Sequence, residues 1–334
     1  MRDDSRALEG KRVLVTGGTG SFGQVFVDRL LQGGLGRPAE VVVFSRDEAK
    51  QHDMRISGFD HPSMRWFIGD VRDESRLRLA MHGVTTVVHA AALKQVPVCE
   101  YNPIEAVMTN IIGARNVVSA ALDNGVRRVL ALSTDKAVNP VNLYGATKLV
   151  AEKLLVQANA YAGDHPTRFS CCRYGNVLAS RGSVIPLFVK QREAGVVTIT
   201  DRRMTRFWLT LDQGVRFVLH CLAAMHGGEV FVPKIPSMKL VDLAEAVAPG
   251  CDVHCIGIRP GEKLHEVLVA EDEARQTRDL GDHFVIQPAH PWWPQANRDA
   301  GRALAEGFTY TSNGNDLWLT VDALRDLIAS GQAS

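Results

Sequence analysis

The sequence predicts an α/β protein, a doubly wound parallel sheet that carries a smaller, irregular second part. Three observations predict it. Short β-rich runs alternate with longer helical stretches through about the first 180 residues. Several of those runs are apolar on both faces, as parallel strands covered by helices on each side are. A glycine-rich turn joins the first run to the first helical stretch, as in nucleotide-binding sheets of this kind.

Taken in order, strands are expected at Arg12–Val15, Val41–Phe44, Arg65–Ile68, Thr85–His89, Arg128–Leu132 and Arg168–Arg173. Helices are expected at Gln24–Leu31, Ser75–Met81, Pro103–Asp123 and Leu143–Ala162. Asn102 before Pro103 reads as a side-chain cap with proline in the first helical position, and Asn124-Gly125 as a stop. Beyond about Val177 the alternation weakens. Asp212–Met225 then reads as a helix, Glu229–Val232 as one more strand and Leu240–Val247 as a helix, with Pro- and Gly-rich loops between them. Pro291-Trp292-Trp293-Pro294 is harder to place, and its tryptophans are expected to be packing anchors.

Composition removes several function classes. Lys plus Arg is 38 and Asp plus Glu 37, a net charge of +1, which argues against a dedicated nucleic-acid binder. No stretch approaches the ~18 uninterrupted apolar residues of a membrane span. The charged start Met1-Arg2-Asp3-Asp4-Ser5-Arg6 lacks an export signal's apolar core, so a cytoplasmic protein is expected. The six cysteines suggest no disulfide scaffold in so long a chain. Cys251 and Cys255 have no second Cys/His pair nearby, so no metal site is expected.

Thr16-Gly17-Gly18-Thr19-Gly20-Ser21-Phe22-Gly23 follows the first strand and opens the first helix. Gly17, Gly20 and Gly23 suit a tight turn, close approach of backbone to a pyrophosphate, and close helix–strand packing. The helix N-terminus would hold the phosphate charge. The loop thus points to a Rossmann-type dinucleotide site with Thr19, Ser21 and Phe22 in its lining. At the end of the second strand Ser45 and Arg46 occupy the place that chooses between NAD and NADP. A guanidinium suits a 2′-phosphate, so NADP is expected, although Asp47 stands next to it. Asp70, with Val71 after it, could meet the adenine or cap the following turn.

Tyr144 and Lys148 are four apart, on one face of a helix. A free tyrosine has a pKa near ~10, and a nearby ammonium and a positive nicotinamide would stabilise its phenolate. With the glycine loop and the preceding Ser133-Thr134, this pair resembles the extended, sugar-nucleotide-modifying branch of the short-chain dehydrogenase/reductases. The resemblance runs through Asn176 to the segment Ile258-Arg259-Pro260-Gly261-Glu262-Lys263-Leu264-His265-Glu266. Within that branch, Asp135-Lys136 beside Thr134 is similar to the inverting UDP-N-acetylglucosamine 4,6-dehydratases that open pseudaminic acid synthesis; retaining dehydratases typically carry Asp-Glu there.

The resemblance implies a UDP-GlcNAc substrate and a tightly bound, recycled NADP. Tyr144 would take the C4 hydroxyl proton with Thr134 on the same oxygen and Lys148 in support. Asp135 would protonate the leaving C6 hydroxyl. Lys136 would remove the C5 proton, for which its pKa should be depressed. Ala90, Lys94, Tyr144 and Lys148 would lie near the cofactor, Lys94 also near the substrate. Asn176, Arg181 and Val184 would seat the sugar nucleotide, and Arg206 and Arg259 its diphosphate. His265 is expected to be a packed or hydrogen-bonded histidine.

The dinucleotide domain would span 1–177, with 207–232 returning to it. Residues 178–206 and 233–334 would form the substrate domain, and the resemblance implies a homo-oligomer. A 4-epimerase, a retaining 4,6-dehydratase and a non-catalytic NADP-binding regulator stay open. Singly, Asp135-Lys136 also fits a solvated turn, and each arginine a structural ion pair.

Overall fold

A computed structural model describes residues 6–178, 184–289 and 300–329. Its first half alternates β1 (Arg12–Thr16), α1 (Ser21–Leu31), β2 (Glu40–Ser45), α2 (Glu48–Met54), β3 (Met64–Ile68), α3 (Glu74–Ala80) and β4 (Thr86–His89). It continues through α4 (Val96–Tyr101), α5 (Pro103–Ala106), α6 (Gly113–Asp123), β5 (Arg128–Leu132), α7 (Leu143–Tyr161) and β6 (Arg168–Cys172). These strands pair in parallel in the order β3-β2-β1-β4-β5-β6. The order in which successive strands join the sheet reverses between β1 and β4, the switch point where such sheets open a crevice at their carboxyl ends. The apolar runs form strands because both faces are covered: Val13, Leu14, Val15, Val41, Val43, Val87 and Val88 are wholly buried in the main core.

All six early strands stand where the sequence predicts them, to within a residue or so at each end. Three local details differ. α1 starts at Ser21, earlier than the expected Gln24, because Gly20 takes the N-cap place directly. Asn102 sits at the cap of α5 but donates its side-chain amide to Val98 O at 3.1 Å, so it does not cap the helix that follows. The single helix expected over Pro103–Asp123 is interrupted by a wide-turn segment at Val107–Ile112. That segment turns Asn110 inward, where it bonds Leu93 N and O and Thr147 Oγ1 and ties the loop after β4 to α7.

The second half contains β7 (Asn176–Val177), α8 (Val184–Arg192), β8 (Val196–Ile199), β9 (Thr205–Leu209), α9 (Leu211–Ala224), β10 (Val230–Pro233), β11 (Ser237–Lys239) and α10 (Leu240–Val247). After it come β12 (Asp252–Cys255), β13 (Val267–Val269), α11 (Glu271–Ala274), β14 (Thr277–Asp279), β15 (His283–Ile286), β16 (Arg302–Ala303), β17 (Tyr310–Thr311) and α12 (Val321–Ala329). Thr210 and Gln213 form a reciprocal capping box that starts α9. β10 joins β6 in parallel, and β15, β14 and β16 continue the sheet antiparallel to ten strands. A second core, around Phe188, Met204, Trp208, Met238 and Leu243, lies under α8, α10 and α12. Among the described residues no helix is long and apolar enough to cross a membrane. Pro291–Pro294 lies outside the described residues.

Candidate active site

A cleft of about 680 Å³ opens at the switch point. Of the residues singled out in the sequence, Gly17, Thr19, Gly20, Ser21, Phe22, Gly23, Ser45, Arg46, Asp70, Val71, Ala90, Lys94, Thr134, Lys136, Tyr144, Lys148, Asn176 and Val184 line it. Asp135, Arg206 and Arg259 do not, and Arg181 lies outside the described residues.

The glycine loop has the form a dinucleotide needs. Gly17 has φ +68°, and a Cβ there would stand 2.9 Å from Ala91 N; one on Gly23 would stand 2.5 Å from Gly18. Neither glycine tolerates a side chain without the loop moving. No side chain caps α1, so the amide groups of its first turn are left for an anion. At the end of β2, Ser45 Oγ and Thr19 Oγ1 are 2.8 Å apart. Asp47 accepts from Lys50 N and pairs with Lys50 Nζ at 2.8 Å, so its carboxylate is committed to starting α2. The Arg46 side chain is 58% exposed, with Nη1 3.8 Å from Asp70 Oδ2. Asp70 itself takes the Arg72 fork and Arg72 N. Burial pushes the Asp70 carboxyl up, but these bonds outweigh it and hold it below its usual range.

The reactive groups gather where β5 ends. Thr134 Oγ1 donates to Asp135 Oδ1 at 2.8 Å, and Lys136 Nζ donates to the same oxygen at 3.0 Å. Lys136 Nζ also donates to Asn176 Oδ1 at 3.1 Å. Asp135 is wholly buried behind Thr134 and Lys136, and its Oδ2 has no hydrogen-bond partner among the described residues. The pair is therefore no solvated turn, yet only Lys136 forms the cleft wall.

One electrostatic expectation changes. Lys136 is expected to be depressed; burial does push it down, but the Asp135 and Glu266 carboxylates outweigh burial and raise it above its usual value. For Tyr144 the expectation joins Lys148 with a positive nicotinamide; of the protein's own groups, burial pushes its phenol up to about 12, and the opposing influences are Lys136 and Thr134. Lys148 donates to Leu132 O at 2.6 Å and is lowered by burial. Lys94 is lowered as well, by burial and by the charge of Lys136.

Sequence reasoning missed Glu266 as a site residue. It is 2% exposed, with Oε1 3.6 Å from Lys136 Nζ and 3.7 Å from Arg206 Nε. Its signal was available as the acidic end of the 258–266 segment. Arg206 is occupied by this contact and by bonds to Thr205 O and Leu264 O. Arg259 is 56% exposed beside Glu262. His265 Nδ1 bonds Thr205 Oγ1 at 2.8 Å, as expected of a packed histidine. Behind the site, buried Arg173 clamps Glu152 of α7 and Glu273 of α11, and Ser133 Oγ donates to Glu152. Since Tyr144, Lys148 and Glu152 follow at intervals of four, this network holds the reactive face of α7.

Residues 13–288 match the family of polysaccharide biosynthesis proteins. The chain is 50% identical over 327 residues, 95% of its length and 97% of the relative's, to the inverting UDP-N-acetylglucosamine 4,6-dehydratase of Campylobacter jejuni. It is 46% identical over 282 residues to a UDP-glucose 4-epimerase of Rickettsia conorii, covering 83% and 82% of the two chains. Among solved structures, Pen from Bacillus thuringiensis superposes with a TM-score of 0.88 at 38% identity, covering 98% and 99%. The dTDP-glucose 4,6-dehydratase DesIV of Streptomyces venezuelae, with NAD and TYD bound, gives 0.67 at 26% identity, covering 76% and 86%. The chain belongs to the polysaccharide biosynthesis protein family, within the extended short-chain dehydrogenase/reductases.

Proposed function

We propose that this chain is a C5-inverting UDP-N-acetylglucosamine 4,6-dehydratase, forming UDP-2-acetamido-2,6-dideoxy-β-L-arabino-hexos-4-ulose. The observation that carries the reading is Lys136 on the cleft wall, hydrogen-bonded to buried Asp135 within the cluster of Thr134 and Tyr144. The likeness to the Campylobacter protein over almost the whole chain supports the same step, which would suit the opening of pseudaminic acid synthesis.

A nicotinamide dinucleotide, held by the glycine loop, Ser45, Arg46, Asp70, Val71, Ala90 and Lys94, would take the C4 hydride and later return it to C6. NADP is favoured because the exposed Arg46, at 3.8 Å only loosely paired with Asp70, can turn to meet a 2′-phosphate while Asp47 is engaged by Lys50. Tyr144 takes the C4 hydroxyl proton, and Thr134 bonds the same oxygen. A proton passing from Lys136 to Asp135 along their hydrogen bond turns the ion pair into an acid and a neutral amine at once. Lys136 then removes the C5 proton made acidic by the C4 ketone. Asp135 supplies the proton with which the C6 hydroxyl leaves, through the Thr134 and Lys136 contacts that separate it from the cleft; once hydride is back on C6, C5 takes a proton on the opposite face, which inverts it.

Residues 1–177 with 207–232 would hold the dinucleotide, and 178–206 and 233–334 the sugar nucleotide. Asn176, Arg181 and Val184 would seat the sugar, with Arg259 at the diphosphate; Arg206 would share that role with its ion-pair contact to Glu266. The protein would work in the cytoplasm, in keeping with six unpaired cysteines. It would act as a homo-oligomer, for which the exposed row Val98, Tyr101, Ile104 and Met108 offers a face.

Incubation with UDP-GlcNAc in deuterated water, followed by NMR, tests the reading. The expected product is a 4-keto-6-deoxy sugar with L-arabino configuration and deuterium at C5. The D-xylo ketone would make the enzyme a retaining dehydratase. A galacto product that keeps its C6 hydroxyl would make it an epimerase, the reading the Rickettsia likeness favours.

A further inference from the structure

The segment Arg259–Glu266 is seated on the catalytic turn by named bonds. Asn142 Nδ2 donates to Gly261 O at 2.8 Å, Lys263 Nζ donates to Val138 O, and Arg206 Nη1 donates to Leu264 O at 3.2 Å. At its end the Glu266 backbone is fixed on both sides: its N–H donates to Ser312 Oγ at 2.9 Å, and its carbonyl accepts from Ser312 N at 2.8 Å. The side chain is thereby held against Lys136. Its Oε1 faces Lys136 at 3.6 Å and Arg206 at 3.7 Å, and its Oε2 lies 4.0 Å from Lys263 Nζ, without a hydrogen-bond partner among the described residues. A buried carboxylate that forgoes a hydrogen bond is costly unless its charge is used.

We propose that Glu266 is a positioning residue of the reaction, the standing counter-ion of Lys136 through the steps in which Asp135 carries a proton. The inference rests on the base role given to Lys136. In the elimination the C5–H bond breaks and its proton forms an N–H bond on Lys136. The electron pair left at C5 forms the C5–C6 double bond, and the C6–O bond breaks toward oxygen. That oxygen takes the Asp135 proton and departs as water. As the cation forms on Lys136, Asp135 is neutral or only beginning to ionise, so it cannot balance the new charge. Glu266 is the second carboxylate facing that cation, at 3.6 Å, a distance that keeps it from taking the proton itself.

The groups that face Lys136 are Asp135 on its own turn, Glu266 and Lys263 before β13, Arg206 on β9, Lys94 after β4 and Tyr144 on α7. Of these, Asp135 and Glu266 alone are carboxylates. Removing the charge of Glu266 leaves Arg206, Lys263 and Lys94 to push the ammonium toward its neutral form.

Glu266→Gln tests this, as it keeps the size and removes the charge. Lys136 acetylation, followed by peptide mass spectrometry at fixed mildly alkaline pH, should become about tenfold faster, since each unit of pKa changes the amine fraction tenfold. The rising limb of the pH–rate profile with UDP-GlcNAc should move to lower pH while KM is unchanged. Glu266→Asp should bring both readouts most of the way back, and it carries the test should the Gln variant not fold. Unchanged labelling, or a KM increase with an unmoved profile, overturns the assignment. Labelling needs no turnover, so wild-type protein that leaves UDP-GlcNAc intact would defeat the dehydratase reading alone, and the labelling result would still decide the contact.

Discussion

Lys136 Nζ donates to Asp135 Oδ1 at 3.0 Å, and the acceptor carboxylate is wholly buried while the amine stands on the cleft wall. A buried ion pair of this kind contributes little to stability against an apolar replacement, but losing one partner strands the other. Lys136→Met should therefore do two things. Stability should fall by about 3 kcal/mol, because Asp135 and Glu266 lose their shared cation. Turnover should stop after the first hydride transfer, so that reduced cofactor accumulates on adding UDP-GlcNAc and no deuterium enters C5. Normal product from this variant would remove Lys136 from the mechanism.

Tyr144 is the second case in which charge decides function. Burial sets its phenol at about 12, too high for a phenolate at neutral pH. A positive ring in the same cleft would lower it, whereas a neutral reduced ring would not. The ultraviolet difference titration of wild type against Tyr144→Phe should show a phenol near 12 without cofactor. Its midpoint should be lower with the oxidised dinucleotide and return with the reduced one. Tyr144→Phe should lower kcat by about a thousandfold or more, with dinucleotide affinity unchanged. Equal midpoints with the two cofactor forms would count against Tyr144 as the hydride-step base.

Cofactor choice rests on the exposed Arg46 side chain. Arg46→Asp puts a carboxylate where a 2′-phosphate would lie and where ribose hydroxyls could be bonded instead. NADP affinity, measured by calorimetry, should fall about a hundredfold, the loss of a charge-assisted phosphate contact, while NAD affinity holds or improves. A variant that binds both as wild type does would leave Arg46 without a role in the choice.

The legible parts of the molecule are those whose cause is local. The buried parallel strands read as apolar runs because both faces are covered, and the glycine loop because Gly17 and Gly23 cannot carry a side chain. Tyr144 and Lys148 read from helical spacing. Asp135 and Lys136 were found, but their burial was not, since neighbours in sequence give no depth. Glu266 escaped because its meaning comes from Lys136, far away in the chain. Asn102 failed as a cap because its amide reached back to Val98 O instead. Lys136 is raised rather than depressed because two carboxylates outweigh burial, and the second of them, Glu266, lies 130 positions away in the chain.

Arg173 braces the site from behind the cleft. Its guanidinium is 1% exposed and bonds Glu152 through Nε at 2.9 Å and Nη2 at 2.5 Å, and Glu273 through Nη1 at 2.8 Å and Nη2 at 2.7 Å. Arg173→Met leaves buried Glu152 facing the partly exposed Glu273 without a cation between them and should cost about 3–5 kcal/mol. Adding Glu152→Gln and Glu273→Gln should return a large part of that loss, because the stranded charges are then gone. Denaturant unfolding of the single and triple variants measures it. A triple variant less stable than the single one would show that packing, not charge, dominates there.

His89 should make the protein acid-sensitive in a defined window. It lies in the sheet at 2% exposure, with Nδ1 2.8 Å from Thr16 Oγ1. Burial, helped by the charge of Lys148, lowers its pKa from 6.5 to about 3. The native imidazole is thus neutral while the unfolded one binds a proton below 6.5. The stabilisation is complete above that pH and is lost as pH falls toward the folded value. Three to four units of difference correspond to a loss on the order of 4 kcal/mol by pH 3. His89→Asn keeps a hydrogen-bonding group for Thr16 and removes the titration. Urea unfolding at intervals from pH 7 to pH 4 should then show a steep decline in wild type and a shallower one in the variant. Parallel declines would mean that other groups, foremost the buried carboxylates, carry the acid sensitivity.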